Sequence, residues 1–343
     1  MIRFACDYAE GCHPTILAEM TATNYQQMPG YGDDEVCAEA RERIKAACCA
    51  PESDVHFLVG GTQANLTVIG ALLRPYEGAL CADSGHINVH ETGAIEATGH
   101  KVLGLPHVNG KITAEQVRAA MQTHLNDEAR THTVKPGMVY ISQPTEYGTL
   151  YSLAELEALA AVCAEYDLPL FADGARLGYG LAAGCNDVTL ADLARLCDVF
   201  YIGGTKCGAL FGEAVVIRKG KWQKDFRYNL KQRGGLLAKG WLLGRQFKAL
   251  FTDGLYEDVC RKAVDQAERI QAALREKNVP IYLESPTNQI FCVFTEAQIA
   301  ALAGKYAFSD NGPVEGGRLI RICTSWATDE ANVQQLIADI KAL

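Results

Sequence analysis

Asp54–Asn65, DVHFLVGGTQAN, carries an apolar strand (Asp54–Val59) through Gly60-Gly61-Thr62 and straight into a helical pattern over Thr62–Leu73, TQANLTVIGALL. A strand, a glycine turn and a helix in so few residues is the opening of a βαβ unit. Glycines let a backbone approach a ligand closely, and the free N–H groups at a helix start attract anions. The turn also has a purely structural reading, a tight strand–helix junction with Thr62 as N-cap. It is neither G-x-G-x-x-G nor a Walker loop ending in GK[ST], which removes support for dinucleotide and nucleoside triphosphate binding.

The same alternation continues along the chain. Apolar runs with strand character lie at Ala79–Ala82, Lys101–Leu105, Met138–Ser142, Leu168–Ala172, Val199–Ile202 and Ala214–Ile217. Between them are helical patterns at Thr113–Leu125 and Ser152–Tyr166, each opening on a capping box (Thr113 with Gln116, Ser152 with Glu155). Strands that are apolar throughout fit a parallel sheet covered on both faces. After about residue 220 the texture changes. Long helices are expected over Gly234–Leu255 and Tyr256–Lys277, strands at Ile281–Leu283, Gln289–Phe294 and Arg318–Cys323, and a last helix from Asp329. The expected organisation is an N-terminal segment (1–15) contributing to the active site, a large α/β domain (16–245) and a smaller α+β domain (246–343), with no internal repeat.

Composition sets the outer limits. The 343 residues are 48% hydrophobic and 21% charged, which is globular rather than disordered or fibrous. At about 150 residues per domain the length suits roughly two domains. Lys and Arg number 32 against 41 Asp and Glu, a net charge of −9, which argues against a nucleic-acid or anionic-membrane partner. The 13 cysteines are scattered with no CxxC pair, so a zinc ribbon or thioredoxin-type site has no support. No basic-then-apolar leader and no apolar run of about 18 residues is found. Free thiols in a reducing cytoplasm are therefore expected.

Two further stretches carry chemistry. Leu168–Gly174, LPLFADG, ends an apolar strand on Asp173, where ligands bind in open α/β sheets. That carboxylate is either a functional charge or a helix N-cap. Phe200–Gly208, FYIGGTKCG, delivers Lys206 into a glycine-rich turn. A lysine in a crowded apolar site has a lowered amine pKa and can form a Schiff base, although a lone lysine is ordinarily a surface residue. Together, an anion site, an acid at one strand end and a lysine at another are what pyridoxal phosphate requires.

In the order of its motifs the chain resembles the fold-type I pyridoxal-phosphate enzymes, and within them the threonine aldolase branch of the β-eliminating lyases. The resemblance covers nearly the whole chain, Met1 to about Trp326. It rests on Tyr31-Gly32-Asp33-Asp34, Gly61-Thr62-Gln63-Ala64-Asn65, His86-Ile87 with Glu91 and Gly93, Asp173-Gly174-Ala175-Arg176, and Gly203–Gly208, with Lys206 following Asp173 by 33 positions. It implies a large domain with a mostly parallel sheet, a smaller C-terminal domain, and cleavage of a β-hydroxy-α-amino acid such as L-threonine or L-allo-threonine to glycine and an aldehyde.

The resemblance also implies roles. Lys206 would hold the cofactor aldehyde as an imine and Asp173 would pair with the pyridine nitrogen. Gly61 and Thr62 would hold the phosphate, Gly60, Thr205 and Lys239 would also bind the cofactor, and Arg176 would contact the ring's 3-oxygen or nearby groups, substrate included. His86 would stack over the ring, and Arg321 would clamp the substrate carboxylate as a bidentate partner. Tyr31, Lys231 and Lys239 would lie at or near the site, partly donated by a neighbouring subunit of a homodimer or homotetramer. The base that takes the β-hydroxyl proton is left open between Glu146, His86 and an ordered water.

Two departures from the family pattern stand out. Glu146, in QPTEYGT, stands where many of these enzymes have a His that contacts the substrate hydroxyl, and Cys6-Asp7 stands where Ser-Asp is usual, with Cys6 and Tyr31 expected among the substrate-binding residues. Diastereomer preference is thereby put in question. His86 and His90, four apart, have the spacing of two metal ligands on one helix face, but no Glu follows the first His, and ring stacking is the favoured reading. Three other functions compete: β-elimination on the same cofactor, a non-catalytic binding protein that kept the fold, and a dinucleotide oxidoreductase, which lacks its fingerprint here.

Overall fold

The computed structural model describes residues 1–343. Thirteen strands are formed: β1 (Ile2–Arg3), β2 (Asp54–Leu58), β3 (Glu77–Ala82), β4 (Lys101–Leu105), β5 (Lys135–Ser142), β6 (Leu170–Asp173), β7 (Val199–Gly203), β8 (Glu213–Ile217), β9 (Ile281–Leu283), β10 (Gln289–Phe294), β11 (Tyr306–Ala307), β12 (Ser309–Val314) and β13 (Gly317–Cys323). Seven of them make one sheet in the order β2-β8-β7-β6-β5-β3-β4. All its pairings are parallel except those of β8, which runs against both β2 and β7.

Alternate side chains of this sheet feed two cores. Tyr140, Phe171, Tyr201 and Val215 face the helix Gly61–Leu72, which adds Ala64, Val68 and Ile69. Val139, Ile141, Ala172, Phe200 and Val216 face the opposite layer, with Leu156, Leu159 and Val162 of the helix Leu153–Glu165. Burial on both faces explains why the strands read as continuous apolar runs. Each fully buried Leu, Val or Phe contributes about 1.5–3 kcal/mol.

The C-terminal part forms a four-stranded antiparallel sheet, β12-β13-β10-β9. Its core joins Ile290, Phe294, Ile320 and Ile322 to Val333 and Leu336 of the last helix, Glu330–Lys341. Phe4 belongs to this core, and β1 pairs with β11, so the N-terminus is tied to the C-terminal part. The helix Leu255–Glu276 bridges the two parts: Tyr256, Val259 and Cys260 pack in the large core, Ala267, Ile270 and Leu274 in the small one.

Most expected elements form within a residue or two, and the capping boxes at Thr113 and Ser152 both close. Three expectations are corrected. No single helix spans Gly234–Leu255; Phe226–Gln232 and Trp241–Leu250 are separate, because Gly234 is left-handed (φ 74°), and left-handed Asp253-Gly254 (φ 50° and 75°) divide the second from the helix that starts at Leu255. The helices Pro14–Ala22 and Glu35–Ala47 were not expected. Strand β12, SDNGPV, has turn composition and a register shift between Asp310 and Pro313; as an edge strand it tolerates proline.

Candidate active site

Five strands of the large sheet deliver their carboxyl ends to one place. β2 leads to Gly60–Thr62, β3 to His86, β5 to Glu146, β6 ends on Asp173, and β7 leads to Lys206. Because β8 alone runs the other way, its first residue, Glu213, arrives at the same edge, in register with Leu58 and Gly203. These groups line a cavity of about 190 Å³, together with Ser142, Arg176, Tyr201 and Thr205. It is continuous in lining with an outer cavity of about 760 Å³ that shares His86, Glu146, Arg176 and Lys206 and adds Tyr8, Tyr147, Phe291 and Arg321.

The glycines of this edge permit close backbone packing. A side chain at Gly174 would strike the Tyr201 carbonyl, and one at Gly203 the Ala175 carbonyl. Gly203 N–H donates to Gly174 O at 3.0 Å, which locks the ends of β6 and β7 together. Asp173 and Lys206 are thereby fixed relative to each other.

Asp173 is 5% exposed and held by donors. Its Oδ2 accepts from Tyr140 Oη (2.6 Å) and Asn65 Nδ2 (3.0 Å), and its Oδ1 accepts from Ala175 N–H (3.0 Å). Burial pushes its carboxyl up, but the charge of His86 and these bonds bring it below the usual range. Asp173 caps no helix, since the next one, Leu177–Ala182, has Arg176 as its N-cap. Asn65 also donates to Glu91 Oε1 (2.7 Å), which meets His86 Nδ1 at 2.8 Å. Burial alone would lower the His86 pKa, but the Glu91 bond and the charge of Asp173 raise it.

The helix start departs from its structural reading. Gly60 is the N-cap, with no side-chain bond, and Thr62 lies inside the first turn. Thr62 therefore caps nothing; it stands beside Gly60 and Gly61 on the cavity wall. Gln63 turns back to the Val59 N–H (3.1 Å), away from the helix amides.

Lys206 has its amine pKa lowered, first by burial and then by the Arg176 charge. Arg176 grips Asp7 with both ends of its guanidinium (Nε–Oδ2 2.7 Å, Nη2–Oδ1 2.9 Å), and Asn288 Nδ2 adds a third bond to Asp7 at 2.9 Å. Burial opposes the Asp7 charge, yet the charges of Arg176 and Lys206 hold its carboxyl down at about 2. Glu146 Oε1 accepts from Ser142 Oγ (2.7 Å) and the His86 N–H (2.8 Å), while burial pushes its pKa up. Arg321 is anchored by Gln289 (3.3 Å) and the Ala5 carbonyl (3.2 Å), leaving Nε without a partner. Thr205 Oγ1 donates to Glu213 Oε1 (3.1 Å) and accepts from the Gly212 N–H (3.0 Å).

Not every expected residue joins this set. Cys6 lines neither cavity; its neighbour Asp7 makes the contact to Arg176. Tyr31, Lys231 and Lys239 also line neither. Tyr31 is 45% exposed, with Lys231 Nζ 4.4 Å from its ring centre, and its N–H donates to Leu237 O, two residues before Lys239. His90 lines the outer cavity only, its ring 5.7 Å from that of His86. Sequence reasoning assigned no role to Asn65, Glu91, Tyr140 or Glu213. Asn65 sits one helical turn after Thr62, and Glu213 is a carboxylate heading an otherwise apolar strand; both were visible signals.

A family model described as beta-eliminating lyase matches residues 5–339. The chain belongs to the beta-eliminating lyase family. Among individual relatives, it is 31% identical to the low specificity L-threonine aldolase of Pseudomonas sp. (strain NCIMB 10558), covering 99% of this chain and 97% of that protein. It is 25% identical to the Saccharomyces cerevisiae low specificity L-threonine aldolase over 93% of this chain and 82% of that one. A solved structure of Leishmania major threonine aldolase superposes with a TM-score of 0.96 at 42% identity, covering 100% and 99% of the two chains. A Thermus thermophilus aspartate aminotransferase, at 14% identity and a TM-score of 0.72, shares the fold.

The residues of this beta-eliminating lyase fit pyridoxal phosphate, the cofactor of the family. Uncapped glycine-start helix amides suit its phosphate. A carboxylate kept ionised suits a protonated pyridine nitrogen, and a lysine with a lowered amine pKa suits its aldehyde.

Proposed function

We propose that this protein is a pyridoxal-phosphate-dependent aldolase that cleaves the Cα–Cβ bond of L-threonine, L-allo-threonine or a related β-hydroxy-α-amino acid to glycine and an aldehyde. The observation that carries this is the convergence of Lys206, Asp173 and the Gly60–Thr62 helix start on one cavity wall. The threonine aldolases that resemble the chain over almost its full length support it.

When bound, the cofactor supplies an electron sink for the pair left as the Cα–Cβ bond breaks. Gly60, Gly61, Thr62 and Thr205 would hold its phosphate, Lys206 its aldehyde carbon, and Asp173 its pyridine nitrogen. Asp173 stays ionised because the charge of His86 and the hydroxyl of Tyr140 favour its carboxylate, so it could neutralise a positive ring nitrogen. His86, oriented by Glu91, which Asn65 holds, would cover the ring. Arg321 would hold the substrate carboxylate, and that clamp would orient the bonds at Cα for cleavage. Arg176, aimed by Asp7, would contact the cofactor's 3-oxygen or the substrate. Glu146 accepts the β-hydroxyl proton at its carboxylate, with its raised pKa bringing it nearer to that task.

Tyr31, Lys231 and Lys239 would complete a site on a neighbouring subunit, in a homodimer or homotetramer. Their exposure, and their absence from the cavity lining of their own chain, support this. The cysteines, none of them bridged, suit a cytoplasmic setting, and no helix is long and apolar enough to cross a membrane. The division into 1–15, 16–245 and 246–343 is likewise our proposal. The test of the function is release of acetaldehyde from L-threonine or L-allo-threonine by the cofactor-loaded protein; pyruvate and ammonia from serine or cysteine instead would mean β-elimination.

A further inference from the structure

One buried acid on the cavity wall has no part in the chemistry above. Glu213 is 3% exposed, at the head of β8. Its Oε1 takes the Thr205 hydroxyl, and its Oε2 has no hydrogen-bond partner. Asp173, on the same wall, is surrounded by donors, whereas Glu213 has one hydroxyl and an unmatched oxygen. An unmatched buried carboxylate oxygen is costly unless the group carries a proton.

Strand geometry puts the carboxyl beside the lysine turn. Glu213 is in register with Gly203, three residues before Lys206, and Thr205, next to Lys206, is bonded to it. Lys206 and Glu213 line the same cavity and form no direct ion pair, and the cavity has room for solvent. The titratable groups facing Glu213 are Lys206, Asp173, Tyr201 and Tyr256. Those facing Lys206 are Arg176, Asp7, Asp173, Glu213 and His86. Asp7 is committed to Arg176, and Asp173 to Tyr140 and Asn65. Glu213 is the one acid of the set free to exchange a proton.

We propose that Glu213 is a positioning residue for Lys206, the two side chains holding a single proton between them across the cavity. When Nζ is a free amine the carboxyl keeps the proton. When Nζ takes it, the O–H bond at Glu213 breaks, an N–H bond forms at Lys206, and a carboxylate faces an ammonium. No electron leaves or enters the pair. Burial pushes the Glu213 pKa up to about 8 while burial lowers that of Lys206, so the two move towards each other, as a proton-sharing pair requires. The inference rests on Lys206 being the lysine that holds the cofactor.

The experiment follows recapture of pyridoxal phosphate by the full chain after its cofactor is stripped, read from the visible band against pH. Recapture needs a neutral Nζ. Removing the carboxylate that steadies the ammonium therefore lowers the midpoint: Glu213→Gln shifts it down by about one pH unit, and Glu213→Asp, which keeps the charge, returns it towards the wild-type value. A merely structural Glu213 leaves the midpoint in place, and an unmoved midpoint in a folded Glu213→Gln protein overturns the proposal. Should that variant not fold, carbon-13 NMR of glutamate-labelled Lys206→Met protein decides: the carboxyl that titrates near 8 must rise relative to wild type, and a fixed value overturns the proposal. Absence of any visible band in the wild type would instead defeat the cofactor reading itself.

Discussion

Two buried acids of the cavity sit at opposite ends of their strands, and they are built in opposite ways. Asp173, at the end of β6, is 5% exposed and receives bonds from a tyrosine, an asparagine amide and a backbone N–H. Glu213, at the start of β8, is 3% exposed and receives one hydroxyl. Equal burial thus gives a carboxyl held below its usual pKa in one case and raised to about 8 in the other. At equal depth, the charge of His86 together with the supply of donors separates an acid held ionised from one whose pKa burial raises.

The largest expected effect comes from breaking the donor-rich end. Asp173→Asn removes the charge that faces the pyridine nitrogen, and kcat falls by about 10²–10³-fold. A near-normal kcat would place the partner of that nitrogen elsewhere. Next in size is the ion pair that aims Arg176. Asp7→Ala leaves a buried guanidinium unpaired and destabilises the fold by about 3–5 kcal/mol in denaturant titration. Asp7 has a folded pKa of about 2 against an ordinary value of 3.8, so its stabilisation is complete above about pH 4 and lost as pH falls through 2. Wild type and Asp7→Ala should therefore converge in stability towards pH 2.

A finer probe is Tyr140→Phe, which removes one donor to Asp173 and costs about tenfold in kcat, close to 1.4 kcal/mol. At the donor-poor end the linkage sign is reversed. The raised Glu213 pKa means the folded chain holds a proton that the unfolded chain releases between about 4.5 and 8, so wild type loses stability across that window. In cofactor-free protein, Glu213→Gln should lose less Tm between pH 5 and pH 8 than wild type does; an equal loss would refute the contrast between the two ends. The smallest effect is on selectivity: Glu146→His should shift the ratio of rates on L-threonine and L-allo-threonine, and an unmoved ratio means Glu146 is not near the hydroxyl.

Much of this was legible in the sequence because backbone geometry wrote it there. Strand ends announce themselves as apolar runs stopping at Asp173 or at Gly203-Gly204, and glycines that no side chain could replace mark where two strand ends touch. The capping boxes at Thr113 and Ser152 signalled helix starts by local chemistry alone. What local pattern could not supply was pairing across the sheet. Glu213 reaches the site only because β8 runs antiparallel, and Asn65 only because its helix faces Asp173. Tyr140 looked like one more core residue until its hydroxyl was seen on Asp173. Strand β12 hid behind turn residues because an edge strand need not look like one.

The most direct test is one assay of the purified protein with pyridoxal phosphate, adding L-threonine and L-allo-threonine separately and following acetaldehyde with a coupled dehydrogenase, in wild type and Lys206→Ala. Acetaldehyde from wild type on at least one of the two, with neither product nor visible cofactor band in Lys206→Ala, is the predicted result. Equal acetaldehyde release by both proteins, or none from a wild type that carries the band, would contradict threonine cleavage through Lys206.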